Sequence, residues 1–254
     1  MQSLTTLLAT DKPMFLLFAV ATVVLAYALF TLLGFGSALL ASAPLAGVMP
    51  VASVIPLLAV LDCVGSTSRG WRNRQDIDAP ALRRLLPAML FGQLAGVLAL
   101  ALLPAATMAV LLGIFVAVYG IWGMINRKHT QAFVGLGQTG VFHGLLGGIL
   151  GGAFGSGGFL YASYLERRLD SRVAFRATQA VLIALSTAWR LVLCIFAGLI
   201  DQKLQLTSAI LLPAAFAGSL LGKHIDLRMS RGQLVVLLHL LLVGSGLGLI
   251  AKYA

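Results

Sequence analysis

Ten apolar stretches, separated only by short charged or glycine-rich breaks, take up nearly all of this chain. They run over about 13–33, 36–48, 50–66, 85–103, 105–125, 134–152, 154–165, 173–200, 206–222 and 234–251. A membrane-spanning helix needs roughly 20 mostly apolar residues, and several of these runs reach that length. The rest of the chain cannot offset them in water. Only 10% of its residues are charged and its mean hydropathy is +0.98, whereas a soluble domain is about 25% charged. The fold class expected is therefore all-α: a polytopic membrane protein with about eight to ten membrane segments.

The second half replays the first. Phe35-Gly36-Ser37 returns as Phe154-Gly155-Ser156, and Pro87-Ala88 with Gly92 and Gly96 returns as Pro213-Ala214 with Gly218 and Gly222. Both matches fall in the same order among similarly ordered segments. They predict an internal duplication inside one membrane domain, with a first repeat over 1–129 and a second over 130–254.

Charge then orients the chain. If every segment reverses direction, one side receives the loops holding Arg69 to Arg84, Arg127-Lys128, Arg167 to Arg176 and Lys223 to Arg231. Fourteen of the 18 Lys and Arg residues lie there. Basic loops stay cytoplasmic, so both termini are expected outside, in a bacterial cytoplasmic (inner) membrane. Five reversals per repeat make the repeats inverted relative to each other, an arrangement common in transporters with a site near the bilayer midplane. The segments 36–48 and 154–165 are too short to cross as helices at about 1.5 Å per residue, so each is either a short span or half of a re-entrant hairpin.

Glycine-rich breaks at Gly34 to Ser37 and Gly151 to Gly158 interrupt apolar runs. Irregular backbone at membrane depth survives only inside protein or beside a wet cavity. A helix starting there directs free N–H groups and a partial positive charge at that cavity. Gly36, Ser37, Gly155, Ser156 and Gly157 are thus candidates for holding an oxyanion; close helix packing explains the same glycines without a ligand. Arg190 lies within an apolar run, where a charge is expensive and faces a cavity or a partner. Its guanidinium suits bidentate binding of an oxyanion; an ion pair or snorkelling to the interface is the alternative. Asp62, in another apolar run, is expected to pair with Arg190, carry a coupling proton or hold a cation. His143 is the second candidate for coupling and otherwise makes an interhelical hydrogen bond. Ser66 and Thr67, ending the third segment, and Ser186 and Thr187, at the corresponding stage of the second repeat, are candidate cavity hydroxyls. Thr178 and Gln179 are candidates for the cytoplasmic mouth or for the substrate site itself. Gln93, on an otherwise apolar helix, must find a helix or substrate partner.

Several stretches together resemble the TauE/SafE family of sulfite exporters. They are Leu33-Gly34-Phe35-Gly36-Ser37 with Pro44-Leu45, Gly144 to Gly148, Gly155 to Gly158 and Arg176-Ala177-Thr178-Gln179-Ala180. The likeness extends over nearly the whole chain. It implies a secondary transporter for a small sulfur-containing oxyanion such as sulfite, a sulfonate or a related organic acid, working by alternating access with a proton or another ion as coupling partner. An anion channel, or a membrane accessory protein delivering a sulfur compound to a partner, is the alternative.

No P-loop, nucleophile elbow or zinc-ligand spacing occurs, so no enzyme, metal or cofactor is expected. Cys63 and Cys194 lie in apolar runs without a CxxC spacing. The net charge of +10 sits in short loops without interleaved aromatics, which argues against nucleic acid. The expected partners are a small anion and membrane lipid.

Overall fold

The structure is a computed structural model describing residues 12–33, 37–72, 74–125, 139–224 and 231–254. Among the described residues there are ten α-helices and no strand: α1 Lys12–Leu33, α2 Ser37–Ala46, α3 Val51–Arg72, α4 Ala79–Leu102, α5 Ala105–Ile125, α6 Gly140–Phe154, α7 Gly158–Glu166, α8 Arg172–Phe196, α9 Gln202–His224 and α10 Arg231–Tyr253. Five are long and apolar enough to cross a membrane: α4, α5, α8, α9 and α10. Large apolar side chains cover the outside, among them Phe196 at 86% exposure, Leu102 at 78% and Phe91 at 71%. A surface of that kind is stable against lipid and not against water.

Local chemistry sets the helix ends. Asp78 caps α4 by accepting from Ala81 N at 2.7 Å, and Ser171 caps α8 by accepting from Ala174 N at 3.3 Å. α6 stops at Gly155, whose φ of +72° is left-handed, a conformation that disfavours any residue with a Cβ. Its N–H returns to Gly151 O at 3.0 Å, and Ser156 N–H returns to Leu150 O at 3.2 Å.

Several boundaries differ from the sequence expectation, and three of them bear on the candidate site. α3 continues as helix through Arg72, so Ser66 and Thr67 do not end it, and Arg69 and Arg72 belong to its last turns rather than to a loop. α4 starts at Ala79, six residues earlier than the apolar run, because the Asp78 cap and Pro80 start a helix that hydropathy alone does not detect. The second break is confined to 155–157, since Gly151 and Gly152 remain helical within α6.

α2 and α7, with ten and nine residues, rise about 15 Å or less, short of the roughly 30 Å hydrocarbon core. Every residue of α2 except Pro44 is buried, as is α7 from Phe159 to Leu165. Most of each short helix is thus enclosed in protein, as the bilayer requires of a segment that does not span it.

Glycine lets the longer helices close on each other. A Cβ at Gly92 or Gly96 of α4 would lie 2.2 or 2.3 Å from the Leu145 or Ile149 carbonyl of α6. A Cβ at Gly218 or Gly222 of α9 would lie 2.4 Å from the Val24 or Ala28 carbonyl of α1. The α4·α6 seam therefore has its like in α9·α1, and both pairs run parallel. α5 and α10 run antiparallel, Gly113 facing Gly246 and Gly123 facing His239. α3 and α8 also run antiparallel, with Asp62 near Arg190 and Asp78 near Thr178.

Candidate functional site

A cavity of about 40 Å³ lies where α2 begins and α6 gives way to α7. Ser37, Ala38 and Leu39 form one wall, and Gly155 to Phe159 with Tyr161 form a second. Asp62 of α3 and Ile183, Ser186, Thr187 and Arg190 of α8 complete it. α8 is the element that most clearly carries a polar face, because Gln179, Ser186, Thr187 and Arg190 recur at helical spacing.

Arg190 is 2% exposed. Its Nη1 donates to Gly151 O at 2.9 Å, and its Nη2 stands 3.8 Å from Asp62 Oδ2. Its Nε has no hydrogen-bond partner. Asp62 is held from the other side: Tyr27 Oη donates to its Oδ1 at 2.6 Å and Ser37 Oγ donates to the same atom at 2.8 Å. The carboxylate is thus firmly tied to α1 and α2, while its approach to the guanidinium is loose. A tight bidentate pair has N···O distances of about 2.7–2.9 Å.

The break residues shape this arrangement. A Cβ on Gly155 would lie 3.0 Å from Arg190 Nη1 and 2.9 Å from Ala38 Cβ. One on Gly157 would lie 2.1 Å from Gly147 O. Close packing and access to the guanidinium are therefore both served by the same glycines. Gln93 of α4 donates through Nε2 to Ser186 Oγ, and Trp189 Nε1 donates to Leu90 O at 3.2 Å. These two bonds set the rotation of α8 against α4, turning Ser186, Thr187 and Arg190 to the cavity.

The sulfite exporter TauE/SafE family matches residues 18–249. The chain belongs to the TauE/SafE family. It is 27% identical over 194 residues to the probable inner membrane transporter protein TsaS of Comamonas testosteroni, a match covering 76% of this chain and 81% of that protein. No solved structure matches it. TauE/SafE proteins are membrane transporters, and this multi-pass protein is one of them.

In this TauE/SafE protein the predicted site residues divide into three groups. Ser37, Asp62, Gly155, Ser156, Gly157, Ser186, Thr187 and Arg190 line one cavity. Three hydroxyls among them are already engaged, Ser37 with Asp62, Ser156 with Phe154 O at 3.1 Å and Ser186 with Gln93. Thr178, Gln179 and His143 are not among the lining residues. Thr178 Oγ1 accepts from Asp78 N at 2.9 Å, joining α8 to the cap of α4. Gln179 Nε2 donates to Gly158 O at 2.7 Å, supporting the start of α7. His143 Nδ1 is 3.2 Å from Thr139 O, and its ring packs 5.7 Å from that of Tyr164. Gly36 and the side chains of Ser66 and Thr67 lie outside the described residues.

Tyr27 and Tyr161 were not legible as site residues. Each is one of several aromatics in its apolar run, and nothing in its neighbours marks the hydroxyl. Gln93 carried a signal, a polar amide between Gly92 and Gly96, but its partner Ser186 is 93 positions away.

Proposed function

We propose that the chain is a secondary transporter that moves a small sulfur-containing oxyanion through the cavity beside Arg190 by alternating access. The observation that carries this reading is Arg190 itself: a guanidinium 2% exposed, with an unpartnered Nε, in a cavity between two helix breaks. A cation buried in a membrane protein is expensive unless a partner offsets it, and Asp62 at 3.8 Å is a distant partner. An oxyanion would complete the coordination.

Asp62 is the coupling group in this mechanism. Asp62 and Arg190 are neutral together, so adding an anion leaves net negative charge in a low-dielectric site. Uptake of one proton with the anion restores neutrality. The anion is carried as sulfite, a sulfonate or a related organic acid.

The repeats are read as inverted, with both termini on the outer side of a bacterial cytoplasmic membrane. The packing supports this. Exchanging α1–α5 with α6–α10 converts the α4·α6 seam into α9·α1, and leaves α3·α8 and α5·α10 as pairs of counterparts. Counterparts that run antiparallel are what a two-fold axis in the membrane plane produces.

The test is uptake of sulfite and small sulfonates into proteoliposomes under imposed pH gradients. Saturable flux that responds to the proton gradient and is lost in Arg190→Gln supports the reading. Flux that does not saturate points to a channel. No flux in folded, inserted protein points to an accessory role.

A further inference from the structure

Asp62 and Arg190 carry opposite charges in a buried site, yet Asp62 Oδ2 stands 3.8 Å from Arg190 Nη2. Attraction between such charges is strong where water is excluded. A carboxylate free to move would close to about 2.7–2.9 Å and bond the guanidinium directly. It would then stand where an incoming anion has to bind. Asp62 is therefore a rival of the substrate for Arg190 as well as its partner, and the distance it can travel decides which.

The restraint acts on the far side of the carboxylate. Tyr27 Oη and Ser37 Oγ both donate to Oδ1, at 2.6 and 2.8 Å, while Oδ2 is the oxygen turned to the guanidinium. Tyr27 is buried in α1, its ring edge-on to Phe30 with centroids 6.2 Å apart. Ser37 opens α2, a helix buried along almost its whole length. Neither donor can follow the carboxylate toward α8. Arg190 is held back in turn by Gly151 O of α6 at 2.9 Å. Each charge is thus anchored on its own group of helices, Asp62 on α1 and α2 and Arg190 on α6, and the gap between them is built into the packing.

We propose that Tyr27 is a positioning residue that keeps Asp62 off Arg190 and so leaves the guanidinium open to an oxyanion. This rests on the anion-transport reading above. Tyr27 is not among the residues lining the cavity, so it acts on the substrate only through Asp62. Phenylalanine in its place keeps the ring and its packing and removes the hydroxyl. With that donor gone, the carboxylate leans to Arg190 and the anion must displace it. Ser37 shares the task but also lines the cavity, which makes Tyr27 the cleaner probe.

The experiment is a double-mutant cycle on purified full-length protein: wild type, Tyr27→Phe, Asp62→Asn and the two combined, with Arg190→Gln as the control for the site. Each is titrated calorimetrically with sulfite and with methanesulfonate, and uptake of the same anions is followed in proteoliposomes. Tyr27→Phe is expected to weaken anion binding about 10- to 100-fold, the range for a lost hydrogen bond to a charged group. In the Asp62→Asn protein the same change is expected to leave affinity unaltered, because no rival carboxylate remains. In uptake, Tyr27→Phe should raise KM by the same factor at an unchanged maximal rate, since saturating anion displaces the carboxylate; this split decides the matter alone if the Asp62→Asn proteins fail to fold. Unaltered affinity and KM in Tyr27→Phe, alongside lost affinity in Arg190→Gln, overturn the proposal and leave the anion site standing. An equal loss with Asp62 and with Asn at that position, or a lowered maximal rate at unchanged KM, means that the hydroxyl acts on the fold rather than through the carboxylate and also overturns it. Wild-type affinity in Arg190→Gln, or no binding of either anion by wild type, overturns the anion-site reading and this inference with it.

Discussion

Replacing Gly92 by alanine places one methyl group into the tightest seam of the bundle. Its Cβ would lie 2.2 Å from Leu145 O and 3.0 Å from Ile149 N. Carbon and carbonyl oxygen settle at about 3.3–3.6 Å, so α4 and α6 must part by roughly 1 Å. That shift also disturbs Gly96, Gly144, Gly148 and Gly152, each of which approaches backbone of the facing helix just as closely. Overpacking of this kind costs about 1–3 kcal/mol. Alanine also favours helix over glycine by about 1 kcal/mol, which partly conceals the loss. Gly248→Ala removes the ambiguity, because Gly248 is exposed on α10 with nothing within 4 Å of its would-be Cβ. The propensity gain is common to both variants, and their difference isolates the seam at about 1–3 kcal/mol. The assay is reversible unfolding in mixed micelles with rising SDS, followed by tryptophan fluorescence. Gly92→Ala should unfold at lower SDS than wild type, and Gly248→Ala at equal or higher SDS. Equal midpoints for the two variants would refute the reasoning, since helices that need contact across α4·α6 cannot absorb the methyl without loss.

Other perturbations separate structure from transport. Arg190→Gln leaves the Asp62 carboxylate buried without its cation and should destabilise the protein by about 3–5 kcal/mol; adding Asp62→Asn should recover most of that while uptake stays absent, and wild-type uptake by the double variant would make the pair purely structural. Thr178→Val removes the acceptor of Asp78 N–H and should cost about 1 kcal/mol with KM for the anion unchanged; a raised KM would return Thr178 to the pathway. Asp62→Asn should abolish the response of uptake to an imposed proton gradient while His143→Gln leaves it intact, because His143 faces Thr139 and Tyr164 rather than the cavity. The reverse pattern would assign coupling to the histidine.

The helices themselves were legible from composition. In a bilayer each segment must satisfy its own backbone hydrogen bonds, so a long apolar run leaves helix as the outcome, and α5 spans the stretch its apolar run marks, Ala105–Ile125. The break at Gly155 was legible for a similar reason, since successive glycines in an apolar run serve reversal or close approach. Arg190 and Asp62 stood out because charge at membrane depth demands a use. What the one-dimensional pattern lacked was the rotation of each helix about its axis. A run apolar on all sides carries no face, so nothing in the residues told which hydroxyl turns inward. Tertiary packing decided it: Gln93 and Trp189 orient α8, Thr178 is drawn to Asp78, His143 is drawn to Thr139 and Tyr164, and Tyr27 and Ser37 converge on Asp62. α8 is the instructive exception, because its polar residues recur at helical spacing and so declared their own face. Elsewhere the side facing the cavity was set by contacts between residues far apart in the chain, among them Asp62 and Arg190, and such contacts exist only once the helices have packed.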